Sequence, residues 1–167
     1  FGPDNPVARA FVRLSAAARQ TRYHYRLQGN HTMQRKPHII LSSLDLERIE
    51  ALLEKQTAPF PGREALEAEL DRADVFDPKD MPPNVVTMNS TVRFTLLETG
   101  KTNTLTLVYP KEMDGSGDKV SVFAPVGIAL LGLGVGDEFQ MPSPTGQVTV
   151  RVDAIDFQPE NAGELHR

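Results

Sequence analysis

The feature that most constrains this chain is a change of hydrophobic period at about residue 85. Before it, Leu46, Ile49, Leu52 and Leu53 recur three and four apart, as on one face of a helix. After it, Val92, Phe94 and Leu96 alternate with Arg93, Thr95 and Leu97, and Leu105, Leu107 and Tyr109 alternate with threonines and Val108. Val148, Val150 and Val152 repeat the pattern near the C-terminus. Alternation marks strands with one buried face. Helices followed by a run of strands define an α+β architecture, with a mostly antiparallel sheet built from hairpins.

The helical half is punctuated clearly. A short apolar strand over 39–41 precedes Ser42, and Ser42 with Asp45 gives the S-x-x-D signal of a helix start. That helix ends by Ala58, because Pro59 and Pro61 follow. A second helix over 62–74 carries Leu66 and Leu70, with Ala65 and Ala73 beside them. The proline-rich link makes the two antiparallel neighbours, a short helical hairpin or coiled coil within 37–76. Each arm of about 12 residues reaches roughly 18 Å. VFDPKDMPPN, residues 75–84, is a linker by composition, which puts the domain linker at 77–84, and a sheet domain occupies 85–162.

Within the sheet domain, strands are expected at 92–97, 103–109, 119–123, 138–141 and 147–155, with turns at Thr99-Gly100 and Thr145-Gly146. Between them runs SVFAPVGIALLGLGVGDEF, the most apolar stretch of the chain. Its uncharged run over 120–136 is 17 residues, at the low edge of a membrane span, and four glycines and a proline break it. A phosphate loop is disfavoured as well. GLGVG lacks the G-K-[ST] ending, an acidic pair follows, and the segment leads into a strand instead of opening a helix. The simplest reading is one short buried helix starting at Pro125 and stopped by Gly132, with Gly134 and Gly136 turning into the next strand.

Composition narrows the chemistry. The chain has 167 residues, no cysteine, and a formal charge of −4. That excludes disulfides, thiolate metal sites and thiol catalysis, and it argues against coating nucleic acid through overall charge, so no strong direct nucleic-acid binding is expected. A reducing cytoplasm suits a cysteine-free chain. The charge is uneven: residues 1–32 hold five arginines and one acid, whereas residues 33–167 hold 13 basic and 21 acidic groups. Residues 1–32 therefore read as a leader, a tag or translated upstream sequence, with Met33 as the start. The rival reading is a basic arm for nucleic acid, with residues 7–22 folding as a helix on binding.

Catalytic and metal constellations are absent from the pattern. Asp74, Asp77 and Asp80 are spaced D-x-x-D-x-x-D, but Asp77 before Pro78 is a turn signal, and the glycine and terminal glutamate of a calcium loop are missing. The four histidines include no H-x-x-x-H pair, and no G-x-S-x-G elbow exists. Glu50, Glu54, Glu64 and Glu67 read as the solvated face of the hairpin. No cofactor, metal or catalytic residue is assigned.

Several motifs in order carry a family resemblance: ELDRA at 69–73, VVTMNS at 85–90, TLVYP at 106–110, APVGIALLGLGVGD at 124–137 and FQPE at 157–160. The chain resembles the Gre family of bacterial transcription factors, and within it the Rnk group, regulators of nucleoside diphosphate kinase. The Gre C-terminal segment S-P-x-(G/A)-x-A-L-L-G-x-x-x-G-D is matched here with Ala124 in place of the serine. The resemblance covers about residues 37–162.

The resemblance implies an FKBP-like sheet domain and RNA polymerase as partner, bound at the rim of its secondary channel. The segment implied for docking is Ser121, Val122, Phe123, Ala124, Pro125 and Val126, with Phe123 and Pro125 as rigid apolar anchors. Gre proteins stimulate transcript cleavage with acids at a coiled-coil tip. Here the tip residues Gln56, Thr57, Ala58, Pro59, Phe60 and Pro61 include no acid, and the arms are short. The implied protein binds polymerase, competes with Gre factors and does not stimulate cleavage. The Rnk likeness also implies an indirect regulatory link to nucleoside diphosphate kinase. Two rival functions remain at this stage: an FKBP-like prolyl isomerase, and a binding module for a non-polymerase partner.

Overall fold

The computed structural model describes residues 37–144 and 146–166. The leader, the Met33 start and the basic-arm reading fall outside the described residues.

Strand β1 (Ile40–Ser42) leads directly into helix α1 (Ser43–Lys55). Ser42 is the N-cap, and its hydroxyl accepts from the Asp45 amide at 3.0 Å, as the start signal required. Helix α2 (Arg63–Arg72) follows and ends in β2 (Asp74–Phe76). Strand β2 pairs parallel to β1, with Leu41 opposite Val75. The segment that reads as linker by composition therefore begins as a strand. It continues as a 3₁₀ turn over Pro78–Asp80, where Asp77 caps by accepting from the Lys79 amide. A three-residue strand shows no period, which is why the composition hid it.

The five-stranded sheet has the order β5-β4-β3-β7-β6. It comprises β3 (Thr91–Leu96), β4 (Lys101–Val108), β5 (Lys119–Ser121), β6 (Glu138–Ser143) and β7 (Gly146–Phe157). All pairings are antiparallel except β4 with β5. Val92, Phe94, Leu107, Tyr109, Val150 and Val152 are buried, as the alternation predicts. Strand β7 shifts register against β3 twice, around Asp156 and around Asp153. Each shift adds a residue, so the buried set passes from Val152 to the half-buried Ile155 instead of to Ala154.

The stretch over 85–90, where the hydrophobic period changes, is not a strand. Its only ladder contact is an isolated bridge from Val85 to Gly134. The Thr87 amide donates to the Ser90 hydroxyl at 3.0 Å, the two hydroxyls lie 2.9 Å apart, and Asn89 takes a left-handed backbone with φ 64°. Local side-chain bonding folds these residues into a buried turn.

Helix α3 (Pro125–Leu130) has proline in its first turn and buries Gly127, Ile128, Ala129 and Leu130. Gly127 is required by space: a Cβ there would lie 2.0 Å from the Ser121 carbonyl oxygen. Gly132 reverses the chain with φ 78°, and its carbonyl accepts from Ile40 of β1 while its amide donates to Val86. The buried residues of α1 (Ile49, Leu53) and α2 (Leu66, Leu70) belong to the same core as the sheet and α3. The helical pair is therefore packed onto the sheet and is not a free-standing coiled coil. Among the described residues, no helix is long and apolar enough to cross a membrane.

Candidate functional site

The two segments singled out by sequence lie 60 residues apart in the chain, and the fold brings them together. The hairpin tip is closed by Arg63, the first residue of α2. Its guanidinium donates to the Leu53 and Gln56 carbonyls at 2.9 and 2.8 Å, capping the end of α1, and to Glu67 at 2.9 Å. Gln56 is half-buried and its side-chain amide donates to the Ala58 carbonyl at 3.2 Å, while Thr57, Ala58, Pro59 and Pro61 are exposed. Phe60 turns inward and stacks on Phe123, with ring centroids 4.4 Å apart and planes at 16°. Gly62 sits against α3, where a Cβ would meet Ile128 Cδ1 at 2.8 Å.

The other segment starts at the end of β5. The Ser121 hydroxyl accepts from the Phe123 amide at 3.1 Å, and its carbonyl accepts from the Ala124 amide at 3.0 Å, which turns the chain into α3. Ala124 is the N-cap, in the extended conformation a cap requires, but it has no side chain to bond with. Pro125 is exposed, and Ser121, Phe123, Ala124 and Val126 are half-buried. Val122 is fully buried and its amide donates to Val108, so it has no surface to offer a partner.

The remaining sequence motifs turn out to brace this arrangement. In ELDRA, Glu69 is buried and accepts from Arg72 Nε at 2.6 Å, while Arg72 also donates to the Pro37 carbonyl at the entry to β1. In FQPE, the Gln158 amide donates to the Pro82 and Val85 carbonyls, both at 2.8 Å, and Glu160 accepts from the Thr87 hydroxyl at 2.7 Å. In GVGD, the Asp137 carboxylate accepts from the Gly134 amide at 2.9 Å. Asp74 pairs with His38, and with Asp77 capping its own turn the three aspartates do not converge. Among the described residues, no three histidine, aspartate or glutamate side chains are grouped to hold a metal ion.

Sequence reasoning missed Asp45. It reads as a helix-start acid, yet its side chain is 1% exposed. The carboxylate accepts from the Met88 amide at 3.0 Å and from the Tyr109 hydroxyl at 3.4 Å. Burial pushes its pKa up to about 7, against the lowering effect of the Met88 bond. The Tyr109 hydroxyl is pushed up too, by its own burial and then by the Asp45 charge.

Comparison with known proteins places this frame. Residues 37–75 match the family described as the Rnk N-terminus, and residues 81–157 match the C-terminal domain of the transcription elongation factors GreA and GreB. The regulator of nucleoside diphosphate kinase from Escherichia coli K12 is 49% identical over 131 residues, which cover 77% of this chain and 96% of that one.

The chain belongs to the Rnk branch of the GreA/GreB family. A solved structure described as a prokaryotic transcription elongation factor GreA/GreB from Nitrosomonas europaea is 56% identical, with a TM-score of 0.60. It covers 73% of this chain and all of that one. The elongation factor GreA of Solidesulfovibrio magneticus is 33% identical over 92 residues, 55% of this chain and 56% of that protein. The Rnk match takes in β1, α1, α2 and most of β2, and the GreA/GreB match takes in the whole five-stranded sheet. The motifs that carried the resemblance are thus the ones whose side chains brace the fold.

Proposed function

We propose that this Rnk-type chain is a cytoplasmic transcription regulator that docks on RNA polymerase at the secondary channel and does not stimulate transcript cleavage. Docking uses the exposed side of Pro125 with the accessible parts of Ser121, Phe123, Ala124 and Val126, in a sheet domain of FKBP-like type. The observation that carries the reading is the stack of Phe60 on Phe123. It supports the reading by holding the hairpin tip against the proposed docking segment instead of extending it as a free probe.

Cleavage assistance at a polymerase active site needs carboxylates that position a metal to activate water. Residues 56–62 supply none. The arms of 13 and 10 residues span only about 20 and 15 Å. By occupying the site without the catalytic tip, the chain competes with Gre factors. Its link to nucleoside diphosphate kinase is then indirect, through transcription. Two of the aromatics that a prolyl-isomerase cleft would need, Phe94 and Phe139, are buried in the core, which speaks against that reading.

Backtracked polymerase complexes test this directly. Added with magnesium, the protein leaves the RNA cleavage rate unchanged. Added before a Gre factor, it slows Gre-stimulated cleavage in a dose-dependent way. Acceleration by this protein alone would refute the tip argument. A Gre-stimulated rate that stays constant at saturating protein would refute docking at the shared site.

A further inference from the structure

A second site lies between α1 and the turn that follows β4, with Lys55 adjoining the tip. A cleft of about 500 Å³ opens there, within the range of small-molecule sites. Arg48 and Lys55 line it from α1, seven residues and two helical turns apart on one face. Lys111 lines it from the 3₁₀ turn Pro110–Glu112. Glu112 is the single carboxylate among the lining residues, so the cleft is net positive in a chain whose formal charge is −4. Arg48 is partly engaged, donating to the His166 carbonyl at 2.9 Å. Lys55 and Lys111 have no ion pair or side-chain hydrogen bond among the described residues.

The inner wall provides the second observation. Asn89 lines the cleft, is 8% exposed, and its carboxamide has no hydrogen-bond partner among the described residues. Its polar atoms are not closed off in the core, so they can bond a group held in the cleft. Asn89 is also the only non-glycine residue with positive φ among the described residues. That sparsely populated backbone is held by its amide donating to the Leu107 carbonyl at 2.6 Å. Ala51 and Leu52 add an apolar flank between the two α1 cations.

We propose that this cleft binds a small phosphorylated molecule. Three cationic side chains suit a phosphate dianion, the Asn89 carboxamide supplies a directed neutral hydrogen bond, and the Ala51–Leu52 flank takes the organic body. A concave site of this volume favours a compact ligand over an extended strand. The proposal is independent of polymerase docking, because it shares no residue with the tip or with residues 121–126.

Calorimetric titration of the full 167-residue chain at low salt tests it, with inorganic pyrophosphate, adenosine 5′-monophosphate and adenosine as probes. Both anions bind once per chain and adenosine does not. A Lys55→Gln/Lys111→Gln variant binds both roughly tenfold or more weakly. Asn89→Gly, which keeps the left-handed backbone, weakens binding severalfold without lowering Tm. Absence of binding by either anion at about 5 mM overturns the proposal. So do adenosine binding as tightly as its monophosphate, and an unchanged affinity in the lysine variant. A single-stranded oligonucleotide that binds through the same lysines, while neither small anion does, overturns it in favour of a nucleic-acid backbone site.

Discussion

Asp45 shows what a residue's local pattern says and what it leaves out. Its position three residues after Ser42 announced a helix start, and its amide does donate to the Ser42 hydroxyl. Its carboxyl, however, faces the Met88 amide and the Tyr109 hydroxyl, 43 and 64 residues away, and no local pattern encodes that. The consequence is a pH dependence. The carboxyl has a pKa of about 7 when folded, against 3.8 for an ordinary aspartate. Between those values the unfolded chain is ionised and the folded one protonated, so unfolding releases a proton. Stability from this group is full below pH 3.8 and is lost as pH rises through 7. At about 1.36 kcal/mol per pH unit the loss is at most about 4 kcal/mol. Asp45→Asn removes the titration but keeps an acceptor for Met88. Its Tm relative to the natural chain should therefore climb between pH 5 and pH 8, by about 2–4 °C per kcal/mol. Thermal melts of both chains at several pH values measure this, and other titrating groups cancel in the difference. A constant gap across the range would mean that Asp45 ionises as freely as an exposed aspartate.

At the scale of elements, the sequence was legible wherever structure is set by neighbours along the chain. The period-two strands, the capped α1, the proline-started α3 and the turn at Gly132 all follow from local rules. The stretch over 85–90, where the period changes, folds as a turn closed by the Thr87–Ser90 hydrogen bonds. The pairing of β1 with β2, the two shifts in β7 and the Phe60–Phe123 stack were hidden because each depends on contacts between distant residues. The proposed docking segment could be named by motif, but its meeting with the tip could not. Helix α3 gives the clearest prediction. Its first turn crosses the chain leaving β5 so closely that a Cβ at Gly127 would lie 2.0 Å from the Ser121 oxygen and 3.1 Å from the Val122 Cα. These are backbone atoms and cannot rotate away. Gly127→Ala should cost about 3 kcal/mol or more, at the upper end of overpacking, although alanine is the better helix former. Urea denaturation measures it. A neutral or stabilising result would show that α3 can lift off the strand without loss.

For the whole molecule, the question is whether hairpin and sheet stand apart, as a motif order of helices, linker and strands implies. Ile49 and Leu66 on the helices are fully buried in a core shared with Val92, Leu107 and Val152 of the sheet. Backbone bonds tie the two halves at the same place: Ile40 donates to Gly132, Gly132 to Val86, and Val86 to Leu133. The Gln158 amide fastens residues 82 and 85 to the end of β7, so the connecting stretch is held at both ends. Separating the helices from the sheet would expose both apolar faces and break these bonds together, at roughly 25 cal/mol for each Å² of apolar surface uncovered. The chain over 37–166 should therefore unfold as one cooperative unit, with far-ultraviolet and near-ultraviolet circular dichroism following a single urea transition. Native-state amide exchange should give Ile49, Leu66 and Val152 the same opening free energy. A chain truncated to 77–167 should lose near-ultraviolet signal and expose apolar surface to a hydrophobic dye. Hairpin amides that exchange through a much cheaper opening than those of β7 would instead make the helices a separate unit, docked on a sheet that is stable without them.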